Sequence, residues 1–260
     1  MNVTNSPHTG GATQHRSKHG AAVRGILLTA VVFLQACSTV AYKDPRDPME
    51  SWNRGVFKFN DAVDGAVIKP VATAYRDVLP HWMRTGVGNF FSNLEDLWSG
   101  VNNALQLRGL DTADSFGRVA INTTLGLGGL LDVASDMNME RHPANFGLTL
   151  GRWGVGPGPF VVIPFLGSST LRDTAALSIE FKGNPIRKIN DDTARNSLTL
   201  LNLIDTRASY LKAGEVVEEA ALDKYSFTRD AFLQRRRNQV YDGNPPDEES
   251  APDPSAPGQP

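Results

Sequence analysis

Asp47-Pro48-Met49-Glu50-Ser51-Trp52-Asn53-Arg54-Gly55-Val56-Phe57-Lys58-Phe59-Asn60 is the stretch that decides the fold class. It opens as a helix opens: Asp47 as N-cap, Pro48 at the first helical position where its missing N–H costs nothing, and Glu50 closing a capping box. Behind it Met49, Trp52, Val56, Phe59 and Val63 recur every three or four residues, the period that lines up one helical face.

The same grammar repeats outward along the chain. A second helix opens after Pro80 and carries Val87, Phe90, Phe91, Leu94, Leu97, Trp98 and Val101. Asp111 is placed to cap a third, with Ala113, Phe116, Val119 and Ala120 on one face. Helical segments are expected near 145–153, 170–181, 191–213 and 215–241, with Gly214 as the break between the last two. Alternating strand patterns are scarce. The expected fold class is therefore all-α, one compact domain over 47–242, since about two hundred residues suffice for a single sizeable core.

Two stretches resist helix formation. Leu125-Gly126-Leu127-Gly128-Gly129-Leu130-Leu131-Asp132 holds three glycines, each costing on the order of 1 kcal/mol in a helix interior. Residues 154–167 alternate Gly154, Gly156, Pro157, Gly158 and Pro159, then run apolar from Phe160 across Pro164 to Gly167. Pro159 and Pro164 each remove a backbone donor, which disfavours both helix interior and central strand. An apolar irregular segment must be covered, either as a loop packed on the core or at the wall of a passage.

The front of the chain speaks of compartment. Residues up to Arg24 are polar and basic without Asp or Glu, and about ten apolar residues follow from Gly25 to Leu34. That is a secretory signal, too short to span a bilayer. It closes on Leu34-Gln35-Ala36-Cys37, which resembles a lipobox, so 1–36 are expected to be removed and Cys37 to carry the lipid. Cys37 is the one cysteine in the chain, which excludes a disulfide framework. Ser38 in the following position points to the outer membrane. Residues 37–46 form a tether, and 243–260 are acidic and Pro-rich with nothing apolar to bury, a disordered tail.

Catalytic signatures are thin. With 26 basic against 28 acidic side chains the net charge is −2, no electrostatic case for a nucleic-acid partner. Past the signal the histidines are His81 and His142, outside any metal-ligand spacing. Ser168-Ser169 lacks the frame of a hydrolase elbow, and no Gly-rich loop runs into Lys-Ser/Thr. Neither an enzyme nor a cofactor or metal site is expected.

Against this background the run from Asp47 to Asn60 resembles the opening of the MlaA/VacJ family of outer-membrane lipoproteins. So do Lys69-Pro70-Val71-Ala72, Gly88-Asn89-Phe90-Phe91-Ser92-Asn93-Leu94, Asn122-Thr123-Thr124-Leu125-Gly126, Phe146-Gly147-Leu148-Thr149-Leu150-Gly151 and Leu171-Arg172-Asp173. The resemblance runs from about Asp47 to Asp242; 178–195 is its least family-like part. It implies a ring-like helical protein embedded in the inner leaflet of the outer membrane of a Gram-negative bacterium. Such a protein removes phospholipids mislocalised to the outer leaflet through a polar channel to a periplasmic shuttle of the MlaC type, and associates with trimeric porins. Under it the Gly154, Gly156, Pro157, Gly158, Pro159, Phe160 and Pro164 segment becomes the candidate channel gate, bending at its glycines. Trp52, Phe57, Phe59, Phe90, Phe91 and Trp98 become candidates for the membrane-facing surface, with an ordinary helical core as the rival reading. A lipoprotein that scaffolds porins or envelope assembly without carrying lipid is the alternative function, and a solid bundle would favour it. A lipid hydrolase would need a Ser or Asp within hydrogen-bond reach of His81 or His142.

Overall fold

The computed structural model describes residues 44–246, so the expected signal, Cys37 and the stretch beyond Pro246 lie outside the described residues. Helix α1 (Glu50–Val63) runs through one π turn (Asp64–Ile68) directly into α2 (Lys69–Val78). Then follow α3 (His81–Leu105), α4 (Gly109–Thr124), the single turn α5 (Val133–Asp136) and α6 (Phe146–Arg152). After a two-stranded hairpin come α7 (Leu171–Gly183), a 3-10 turn (Pro185–Lys188), α8 (Asp192–Ser209), α9 (Leu211–Ala220) and α10 (Lys224–Val240). The all-α expectation holds, and Leu125–Asp132 is a string of turns rather than helix.

Four local expectations need correction. Asp47 does not cap α1: the helix starts behind Met49 with no side-chain cap, and the buried Asp47 carboxylate instead accepts from Asn53 Nδ2 at 2.8 Å and from the Tyr225 hydroxyl. A long-range partner has outcompeted the local backbone. Asp111 sits inside the first turn of α4, which begins at Gly109, and pairs with Arg108. Gly214 lies within α9, its N–H bonded to Tyr210 O at 2.9 Å; the chain breaks at Tyr210 and again at Ala221, ahead of the Asp223 cap. The cost of one glycine in a helix, about 1 kcal/mol, is too small to override packing. Finally, residues 160–170 form an antiparallel hairpin, β1 (Phe160–Ile163) and β2 (Gly167–Thr170), with Phe160 opposite Thr170 and Ile163 opposite Gly167. Pro159 and Pro164 bracket β1 and never enter it, and a two-stranded sheet has no central strand to spoil.

Helix α1 holds that hairpin in place of a third strand. Asn53 Nδ2 donates to Phe160 O at 3.0 Å while its Oδ1 accepts from Val162 N at 2.9 Å. Two turns on, Asn60 Nδ2 donates to Ile163 O at 3.0 Å and its Oδ1 accepts from Phe165 N at 2.8 Å. Residues seven apart share a helix face, so the two amides satisfy the open edge of β1 that would otherwise be unpaired.

The packing closes a circuit. α1 packs on β1, α2 on α8, α8 on α3, α3 on α6, and α6 on α10. α10 returns to the start: Arg54 meets Asp223 at 2.6 Å and Arg229 meets Asp44 at 3.1 Å. The apolar core is small, with Val56, Phe160, Val162 and Tyr225 in one cluster and Ala72, Ala208 and Leu211 in another. Much of the buried interior is polar, including Asn53, Asp96, Asn102, Asn103 and Arg118, while Trp82, Leu107, Leu110 and Phe165 stand exposed. Both features are the informative departures from a soluble globule, which hides its large apolar side chains and leaves its charges wet.

Candidate functional site

Among α3, α6, α7, α8 and α10 lies a chamber of about 580 Å³. Its apolar wall comes from Phe91, Leu94 and Trp98 on α3, Leu177 and Phe181 on α7, Ile186 in the 3-10 turn, and Phe232 on α10. Its polar wall comes from Asn145, Asp173, Glu180, Arg235, Arg236 and Gln239. The two walls follow from helix periodicity: Phe91, Leu94 and Trp98 are spaced three and four apart on α3, and Asp173, Leu177 and Glu180 likewise on α7.

The polar wall is braced by specific contacts. Trp98 Nε1 donates to Glu180 Oε2 at 2.8 Å, and the same carboxylate accepts from Phe146 N. Arg236 Nε donates to Asp173 Oδ2 at 2.8 Å and its Nη2 to Asn145 Oδ1 at 3.3 Å. A Cβ on Gly147 would stand 2.5 Å from Asp173 Oδ1, so only glycine lets that ion pair lie flat on α6. Burial works to raise the Asp173 carboxyl, yet the guanidinium groups of Arg236 and Arg172 outweigh it and hold it below the usual carboxylate range.

A second cavity, also about 580 Å³, adjoins the first along Pro143, Arg235 and Gln239, which belong to both walls. This vestibule is lined by Arg108, Arg141, Arg235 and His142, with Asp242 as its carboxylate. Arg141 is fixed from behind: its Nε donates to the buried Asp96 at 3.0 Å and its Nη1 to Ser92 Oγ at 3.1 Å. Asp96 in turn accepts from Arg118, which spends all five N–H groups on Asp96, Asp132, Ser135 and Met139 O. A buried network thus ties α3, α4 and α5 behind the vestibule wall. His142 Nε2 stands 3.2 Å from Asp114, so the carboxylate asked for by the hydrolase alternative is within hydrogen-bond reach, while among the described residues no hydroxyl bonds to the His142 ring and His81 Nδ1 meets the Thr85 hydroxyl at 2.9 Å. No group of three or more metal-ligating side chains occurs among the described residues. An amphipathic double cavity of this kind suits a molecule with an apolar body and an anionic head.

The MlaA lipoprotein family model matches residues 45–239. This chain belongs to the MlaA lipoprotein family. The intermembrane phospholipid transport system lipoprotein MlaA of Escherichia coli K12 is 37% identical over 193 residues, covering 73% of this chain and 76% of the relative. That of Haemophilus influenzae is 27% identical, covering 83% of this chain and 89% of the relative. An uncharacterised protein of Rickettsia bellii is 35% identical over 75% of this chain and 76% of its own length. A solved chain from a study of how bacterial outer-membrane lipid asymmetry is maintained matches at a TM-score of 0.66 and 36% identity, covering 75% of this chain and 98% of that one.

The residues singled out from the sequence of this MlaA-family chain fall into distinct places. Gly154, Gly156, Pro157 and Gly158 form an exposed lead into the hairpin, Pro159 is half-buried, Phe160 is buried beneath α1 and α10, and Pro164 starts the hairpin tip; none lines either cavity. Of the three glycines named as bends, Gly154 and Gly158 take positive φ and Gly156 does not. Trp52 is 62% exposed and Phe59 stands exposed with its ring 5.2 Å from that of Phe165. The outward placing fails for Phe91 and Trp98, whose rings line the chamber, and for Phe57, which packs against Tyr225. Phe90 is half-buried against Phe91. The polar wall on α10 was missed, because nothing within the run Arg235-Arg236-Arg237 shows which of its side chains turns toward a cavity. So was the contribution of 178–195, where Glu180, Phe181, Asn184, Pro185 and Ile186 line the chamber. The signal available for both was the i, i+4 spacing of apolar and polar residues in the same segments.

Proposed function

We propose that this protein is a lipid-anchored component of the outer membrane that removes phospholipids from the outer leaflet and so maintains lipid asymmetry. The double cavity carries the reading: acyl chains keep to the wall of Phe91, Leu94, Leu177 and Phe181 while the headgroup stays with polar and cationic groups. A headgroup drawn through hydrocarbon loses its hydration at high cost, and a polar passage removes that barrier. The likeness to named phospholipid-transport lipoproteins over three quarters of the chain supports the same reading. A chamber of this size favours carriage over the scaffold alternative, which a solid bundle would have favoured.

Within this proposal Cys37 is the lipid-attachment residue, 1–36 the signal, 47–242 the transport domain, and the domain sits in the inner leaflet. Phospholipid leaves to a periplasmic shuttle, and a trimeric porin is the membrane partner. Residues 154–164 act as the gate by moving the hairpin rather than by lining the cavity. The test compares outer-leaflet phospholipid in cells carrying the wild type, no protein, or Leu177→Trp, which fills the chamber. Surface phospholipid should rise in the last two alike, with protein level unchanged in the variant. Wild-type asymmetry with Leu177→Trp would overturn passage through the chamber.

A further inference from the structure

Helix α10 separates the two cavities, and its sequence shows how. Phe232 and Arg236 face the chamber, while Ala231, Gln234 and Asn238 face the vestibule; Arg235 and Gln239 lie on the seam and reach both. These are two adjacent stripes of one helix, each recurring at three- and four-residue spacing.

Arg235 is also the odd cation of the site. Arg236 is held by Asp173 at 2.8 Å, Arg141 by Asp96 at 3.0 Å, and Arg108 by Asp242 at 3.1 Å. Among the described residues nothing pairs with the Arg235 guanidinium, neither carboxylate, carbonyl nor hydroxyl. Its fork of N–H donors is therefore unspent at the line where the apolar chamber meets the cationic vestibule. A planar fork of that kind fits two oxygens of a phosphate, and charge-assisted bonds of this type are roughly twice as strong as neutral ones. The side-chain amides of Gln234 and Asn238 flank it from the vestibule.

We propose that Arg235 anchors the phosphodiester of a diacyl phospholipid whose acyl chains lie in the chamber. This rests on the lipid-passage reading above and adds to it a fixed station for the headgroup. The anchor holds the anion at the boundary while chains remain beside Phe91 and Leu177, so headgroups sharing the phosphodiester bind through one residue whatever their alcohol.

The test uses the full-length lipoprotein purified in detergent and titrated calorimetrically. The probes are dihexanoyl phosphatidylethanolamine, dihexanoylglycerol, which lacks the phosphate, and inorganic phosphate. Arg235→Gln should weaken phospholipid binding about tenfold or more, the worth of a charge-assisted hydrogen bond. Binding of dihexanoylglycerol should change less than about twofold. Arg235→Lys should restore part of the loss, since it keeps the charge and lacks the fork. Wild-type phospholipid binding by Arg235→Gln, with binding abolished in Leu177→Trp, would overturn the anchor and leave lipid passage standing. Undiminished binding in Leu177→Trp would remove the chamber as the lipid site, and the anchor with it. Inorganic phosphate bound as tightly as the lipid, with the same dependence on Arg235, would make the site one for free anions and overturn the proposal.

Discussion

At the scale of single residues, Arg118 shows how a buried charge is made tolerable. Its side chain is nearly inaccessible, and two carboxylates, a hydroxyl and a carbonyl take up its donors. Removing one member of a buried ion pair typically costs about 3–5 kcal/mol, because the partner keeps its desolvation without its compensation. Arg118→Gln should therefore lower unfolding stability by about that amount, read as a denaturant midpoint, and loosen Arg141 in the vestibule through their shared Asp96. The same network sets an acid limit. Burial works to raise Asp132, but the Ser135 hydroxyl, the Asn122 amide and Arg118 outweigh it and hold the carboxyl at about 2. The folded value lies below the unfolded one, so the stabilisation is complete above the ordinary carboxylate range, near 4, and is lost as pH falls toward 2. Asp132→Asn should flatten the fall in melting temperature across that window; a slope equal to the wild type would refute the assignment.

At the scale of elements, the helices were legible because periodicity and caps agree. Thr170, Asn145 and Asp191 each accept from the N–H three residues on, as their sequence positions announce. Asp47 carries the same local signal and was taken by the distant Tyr225, which no local pattern reveals, while Asp111 fell inside the first turn of α4 and paired with Arg108. The hairpin escaped for a related reason. Its strands are four residues long, and the groups that satisfy β1 come from Asn53 and Asn60 on α1, more than a hundred residues away. The cavity escaped because its walls are assembled from α3, α6, α7, α8 and α10, and only tertiary packing brings them together. The gate segment offers a sharp test. Gly154 has φ +90° and Gly158 φ +65°, whereas Gly156 has ordinary backbone and open space around a Cβ. A left-handed conformation costs a non-glycine residue roughly 1–2 kcal/mol. Gly154→Ala and Gly158→Ala should each cost about that much in stability, while Gly156→Ala should be neutral or gain a few tenths. Equal costs at all three positions would show that the lead-in does not depend on these two bends.

At the scale of the whole molecule, the proposed membrane attachment draws on no spanning helix among the described residues. No helix among the described residues is long and apolar enough to cross a bilayer. Helix α3, with 25 residues, reaches about 37 Å at 1.5 Å per residue, yet it carries Arg84, Glu95 and Asp96 and buries Asn93, Asn102 and Asn103. What remains is surface. Trp82 is 73% exposed, Leu107 92% and Phe165 72%, and Val78, Leu110, Leu125 and Leu127 are exposed as well. At about 25 cal/mol per Å² of apolar area, a few such side chains sunk in lipid contribute several kcal/mol. One acyl chain alone gives only marginal, reversible binding, so lipid on Cys37 and apolar surface together would hold the domain where either singly would be weaker. The two contributions separate experimentally. A form with Cys37→Ser behind a conventionally cleaved signal lacks the lipid but keeps the surface, and it should still float with phospholipid vesicles. Adding Trp82→Ser, Leu107→Ser and Phe165→Ser to that form should release it into the soluble fraction while its helical circular dichroism stays intact. Vesicle binding that vanishes with Cys37→Ser alone would assign attachment wholly to the lipid and leave the exposed side chains to another partner.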